Sequence, residues 1–90
     1  MAKLENIKDS ICEIAGRPNN VTVSEIEKIC YQLRLLGYTV SVRGDGHRLF
    51  TINGESFPIV THNRGSKQIL RCYVREFLKV MIKLELYDKS

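Results

Sequence analysis

The chain has no tryptophan, two prolines, two histidines and three cysteines in 90 residues. The cysteines (Cys12, Cys30 and Cys72) are odd in number, far apart and without a C-x-x-C pair. That argues against a disulfide framework and a zinc site, and it fits a reducing cytoplasm. Each lies among apolar residues in a helix-like segment, so core packing is expected for all three. No apolar run approaches the ~18 residues that a membrane span needs. The opening MAKLENIKDS carries no apolar signal region, so a cytoplasmic location is expected rather than secretion. Internal repeats, low-complexity tracts and linkers are absent. One domain over residues 1–90 follows, burying roughly 60–65% of its unfolded surface in one modest core.

What is present is positive charge, unevenly spread. The net charge is +4. Residues 1–42 hold five bases and five acids. Residues 43–83 hold eight bases against three acids, a balance of +5. A field confined to the second half suggests a polyanion or an acidic protein as partner.

Hydrophobic spacing divides the chain into six elements. Leu4, Ile7, Ile11 and Ile14 predict a helix over 3–15, ended by Gly16. A second helix begins near residue 23. Thr22 with Glu25 and Ser24 with Glu27 both fit a capping box, and the sequence does not choose between them. Its stripe is Ile26, Ile29, Cys30, Leu33 and Leu36, and Gly37 stops it. Strands are expected over 38–43, 47–52 and 55–61, the last two joined by the hairpin dipeptide Asn53-Gly54. A last helix is expected over about 68–84, with Leu70, Tyr73, Val74, Phe77, Leu78, Met81 and Leu84 on its apolar side. The order α-α-β-β-β-α reads as an α+β domain, a three-stranded antiparallel sheet with helices packed on one face.

The hairpin dipeptide sets a register. With Asn53-Gly54 at the turn centre, Ile52 opposes Glu55, Phe50 opposes Phe57, Arg48 opposes Ile59 and His47 opposes Val60. Phe50, Ile52, Phe57 and Ile59 then meet the helices. His47, Leu49 and Thr51 take the other face, and His62, two residues past Val60, points the same way at the diagonal position. Imidazole titrates near neutrality and can move protons. In RNA cleavage it can take the 2′-hydroxyl proton or protonate the leaving 5′-oxygen, with nearby cations stabilising the phosphorane. Two histidines without a carboxylate or cysteine cluster make a poor metal-ligand set, so neither metal nor small-molecule cofactor is expected. The competing reading makes both histidines exposed polar strand ends.

Lys67, Arg71, Arg75, Lys79 and Lys83 recur every four residues. A helix drifts about 40° per such step, so the row winds through about 160°. Lys67, Arg71 and Arg75 are expected near the 62–67 loop, and the helix start there favours anions. Lys79 and Lys83 are expected to turn away into solvent. Arg48, Arg64, Lys67, Arg71 and Arg75 are the candidate phosphate contacts.

The run Asp45-Gly46-His47-Arg48-Leu49-Phe50 resembles the G-S-H-H-I-F motif of HicA-type toxins. These are small mRNA interferases of toxin–antitoxin systems with a fold like the double-stranded-RNA-binding domain. PIVTHNRGSKQILRCYVREFL is similar to the V-P-V-H-N-R-G segment and basic helix of longer members. SEIEKICYQLRLLGYTV is similar to the family's first helix and strand start. The resemblance covers about residues 23–83. It implies a core over 21–85 with an N-terminal helical extension over 1–20. It implies a type II toxin, a metal-independent endoribonuclease that cleaves mRNA and inhibits translation, with His47 as the catalytic histidine. It also implies an acidic HicB-type antitoxin that covers the site. Gly46 stands where the motif has serine, Asp45 where it has glycine, and Arg48 where it has a second histidine. The Asp45-Gly46 departure keeps a second reading open: a catalytically impaired member, or an RNA-binding domain without catalysis. A winged-helix DNA binder is the third reading. It fits poorly, because the basic helix comes after the hairpin and not before it.

Overall fold

In a computed structural model the chain is described over residues 4–44, 47–60 and 69–88. Helix α1 (Leu4–Gly16) and helix α2 (Val23–Leu35) precede strands β1 (Val40–Arg43), β2 (His47–Ile52) and β3 (Glu55–Val60), and helix α3 (Arg71–Lys83) follows. The sheet is antiparallel with β2 in the centre. The α+β class and the element order agree with the sequence reading.

The α2 start is resolved in favour of Thr22. Its hydroxyl accepts from the Glu25 N–H at 3.3 Å, and the Glu25 carboxylate accepts from the Thr22 N–H at 3.3 Å. Arg17, in the turn after α1, reaches the same carboxylate with both guanidinium nitrogens, one of them at 3.2 Å. The cap therefore also ties α1 to α2. Helices α2 and α3 both close with a Schellman pattern. Tyr38 N–H donates to Leu33 C=O and Gly37 N–H to Arg34 C=O. Likewise Leu86 N–H donates to Met81 C=O and Glu85 N–H to Ile82 C=O. Gly37 takes the left-handed position at φ 101° at no steric cost, but Glu85 takes it at φ 61° with a side chain.

The predicted register holds at every pair, from Ile52 opposite Glu55 to His47 opposite Val60. Asn53 (φ 50°) and Gly54 (φ 89°) both adopt the left-handed backbone that this turn requires. Asn53 has a further role: its N–H donates to Thr39 C=O at 2.8 Å and its side-chain oxygen accepts from Thr39 N–H at 2.8 Å. The turn of one hairpin thus anchors the entry of β1. Phe50 stacks on Phe57 at 5.3 Å between ring centroids, and Phe57 meets Phe77 of α3 edge-on at 5.4 Å. Around these rings lie Ile52, Ile59, Ile26, Leu33, Val74 and Met81, all buried.

Several expectations need correction. Leu4, Leu36 and Leu70 are exposed rather than part of the apolar stripes. The last helix begins at Arg71, so Leu70 precedes it as an extended N-cap without a side-chain bond. Val80, passed over in the predicted stripe, is buried. Cys30 is buried, and burial pushes its thiol up to about 12. Cys12 and Cys72 are exposed, because each sits on the solvent side of a helix whose core face is filled by isoleucine, valine and phenylalanine.

Two outcomes follow from these contacts. The Arg17 hydrogen bond is the main force holding the Glu25 carboxyl below its usual range. A depressed carboxyl contributes stability above its unfolded pKa of about 4.3 and loses it as pH falls through the folded value. Glu25→Gln keeps the capping box but not the charge, so urea midpoints measured from pH 6 to pH 2.5 should fall less steeply than in the wild type. Glu85→Gly removes a side chain from a left-handed position and should raise stability by about 1 kcal/mol in the same assay.

Candidate functional site

Helices α2 and α3 pack on the sheet side that carries Phe50, Ile52, Phe57 and Ile59, and α1 packs on α2 and α3. Alternation turns the remaining side chains outward. One cross-strand row on that outer face is Arg43, Leu49 and Pro58. The next is Ser41, Thr51 and Ser56, where the Thr51 and Ser56 hydroxyls share a hydrogen bond at 2.9 Å. His47 begins β2 on this face, exposed, beside Val60 and diagonal to Arg43. Leu49, two residues on, is 44% exposed.

The approach to His47 is shaped by Gly44. Its φ is 95°, and a Cβ built there would stand 2.1 Å from the His47 carbonyl oxygen. Both facts demand glycine. The first residue of β2 is therefore placed by a backbone contact that no other amino acid allows.

Arg48 goes the other way. It opposes Ile59 on the helix-facing side, and its guanidinium meets the Glu27 carboxylate of α2 at 2.9 Å. The sheet separates it from His47, although the two are adjacent in sequence. His62, Arg64 and Lys67 lie outside the described residues.

Arg71 and Arg75 are brought together, but not with His47. They line a cavity of about 500 Å³ between α3 and the end of α1, with Ala15, Pro18 and Tyr87 among its other walls. No sheet residue lines it among the described residues. Lys79 turns into solvent as expected, with its side chain 68% exposed; it also borders the same cavity and contacts Glu76 at 3.3 Å. The turn from Arg71 to Lys79 is about 80° of helix, narrow enough for one concavity. Lys83 does leave the row and approaches Glu55 at 4.0 Å. Among the described residues, the basic half of the chain thus supplies a sheet face with Arg43 and His47 and a helix groove with Arg71, Arg75 and Lys79.

Sequence reasoning missed Arg43 and Gly44. The register of β1 against β2 was needed for Arg43, and the strand alternation in YTVSVR was its one signal. Tyr87 was beyond reach, because its place depends on how the chain turns after α3. Among the described residues no group of three or more histidine, cysteine or carboxylate side chains is arranged to hold a metal ion. No helix there is long and apolar enough to cross a membrane. No family model, no curated protein and no solved structure matches the chain.

The Gly44 contact yields a direct outcome. Gly44→Ala should cost about 2 kcal/mol from the left-handed backbone alone, lowering the melting temperature by roughly 8–16 °C in a domain of this size. The largest amide shift changes in its spectrum should fall at the start of β2.

Proposed function

We propose that the chain is an RNA-cleaving toxin of the HicA kind, a metal-independent endoribonuclease that works from the outer sheet face. The observation that supports this best is His47: an exposed imidazole at the start of β2, on the face without helices, with Arg43 on the diagonal. RNA laid across that face meets an imidazole and a cation together. His47 takes the proton from a 2′-hydroxyl, the oxygen attacks the adjacent phosphorus, and the bond to the 5′-oxygen breaks. The products are a 2′,3′-cyclic phosphate and a 5′-hydroxyl, the latter receiving a proton. Arg43 offsets charge on the phosphorane. Arg64 and Lys67 are assigned to neighbouring phosphates, with His62 as a second proton group. Arg48 is assigned to its ion pair with Glu27 rather than to RNA. The α-β-β-β-α portion is read as the double-stranded-RNA-binding type of fold. The partner is read as an acidic antitoxin of the HicB kind.

A second reading, RNA binding without catalysis, is favoured by one observation. Arg71, Arg75 and Lys79 share a cavity away from His47, so phosphate affinity and the imidazole need not belong to one site. The two readings separate cleanly. Under the first, His47→Ala abolishes growth arrest on expression and lowers cleavage of single-stranded RNA in a chelating buffer by about 10²–10⁴-fold. The circular dichroism stays unchanged, and Arg48→Ala leaves the cleavage rate within a few-fold. Equal cleavage by wild type and His47→Ala removes the imidazole mechanism. Salt-sensitive RNA binding with no cleavage by either protein selects the second reading.

A further inference from the structure

We propose that the outer edge of β1 docks an extended acidic segment of a partner polypeptide, which joins the sheet as a fourth strand. Independently of the catalytic reading, backbone parity decides which groups this edge presents. Asn53 N–H bonds to Thr39 C=O, and the same register pairs Ser41 with Thr51 and Arg43 with Leu49. In an antiparallel ladder alternate residues turn both backbone groups to one neighbour. Thr39, Ser41 and Arg43 therefore bond to β2, while Val40 and Val42 turn their N–H and C=O groups to the outer edge.

The opposite edge of the sheet is closed to the same chemistry. Glu55 bonds to Ile52 across the two-residue turn, so Phe57 and Ile59 also face β2 and residues 56, 58 and 60 face outward. Position 58 is proline, which has no N–H to offer, a known way of blunting a sheet edge. β1 carries no proline. Of the two edges, only that of β1 presents a complete set of strand-pairing groups along its described residues.

Side chains beside β1 define the partner. A groove of about 160 Å³ lies between α2 and β1, lined by Cys30, Tyr31, Arg34, Val40 and Val42 among others. Val42 is 48% exposed and Tyr31 61%. An added strand would turn alternate side chains toward this groove, which has room for one apolar residue. The others would turn to the outer face beside Arg43. Arg34 on the groove rim and Arg43 on the outer face put a cation on each side of the docked strand. Glu27 also lines the groove, but its carboxylate is engaged by Arg48. A second copy of this chain would bring another +4 charge and a second Arg34 and Arg43 to the same edge. Charge complementarity selects instead a different, acidic chain with apolar residues at alternate positions.

The test is a titration of the ¹⁵N-labelled full chain with a capped octapeptide of alternating valine and glutamate. The expected result is shift changes and slowed hydrogen exchange centred on the Val40 and Val42 amides. N-methylation of the peptide's amides on the edge that pairs with β1 should weaken binding at least tenfold. Methylation of the opposite amides should leave it unchanged, and 0.5 M salt should weaken it several-fold. Val42→Pro copies the device already present at Pro58; it removes an N–H that the sheet does not use, and it should weaken binding to the same extent. If that variant does not fold, the pair of methylated peptides decides alone. The proposal is overturned by any of several results: no binding, equal binding of the two methylated peptides, shift changes centred on the outer sheet face or the α3 cavity, or a dimer of the chain itself that the β1 edge sustains.

Discussion

The two-residue turn at Asn53-Gly54 is the constraint on which the rest depends. Both residues must hold a left-handed backbone, and asparagine followed by glycine does so at low cost. That pins Phe50 opposite Phe57, where the two rings stack and Phe57 meets Phe77 edge-on. A slip of one residue would reverse every side chain of a strand. In β2 it would bury His47, turn Arg48 outward and expose Phe50. Burial of two aromatic rings, worth a few kcal/mol each, therefore also decides which of two adjacent cationic or titratable side chains meets solvent on the outer face. Asn53 extends this control to β1 through its paired bonds to Thr39.

A second consequence is the division of charge. In the sequence, residues 43–83 form one basic block. In the fold, the sheet divides it. Arg43 and His47 lie on the outer face, Arg48 is held by Glu27 on the inner side, and Arg71, Arg75 and Lys79 face α1. Each surface has its own apolar companions: Leu49 and Val60 on the sheet, Pro18 and Tyr87 at the groove. The helix at the start of the chain is what makes the second surface concave, since Ala15 and Pro18 supply one of its walls.

Much of this could be read from residue order. Strand register, the face of His47, the buried phenylalanines and the helix stops at Gly16 and Gly37 each follow from local chemistry with a short reach. The errors share a cause. Leu4, Leu36 and Leu70 match the helical period, yet each sits at or beyond a helix end, where the partner surface runs out. Cys12 and Cys72 have apolar neighbours in sequence but are exposed, because residues one or two apart in a helix do not share a face. Lys79 is exposed, as its angular drift predicts. Its place at the cavity rim depends on α1, across from it.

By itself the sequence determined the α+β order, the hairpin register and the sign of the charge, because periodicity, turn chemistry and composition act over a few residues. The tertiary structure decided which cations share a surface, that Gly44 must admit the His47 carbonyl, and that β1 rather than β3 presents a complete sheet edge. Those outcomes depend on contacts between elements far apart in the chain, and a pattern of neighbours in sequence does not contain them.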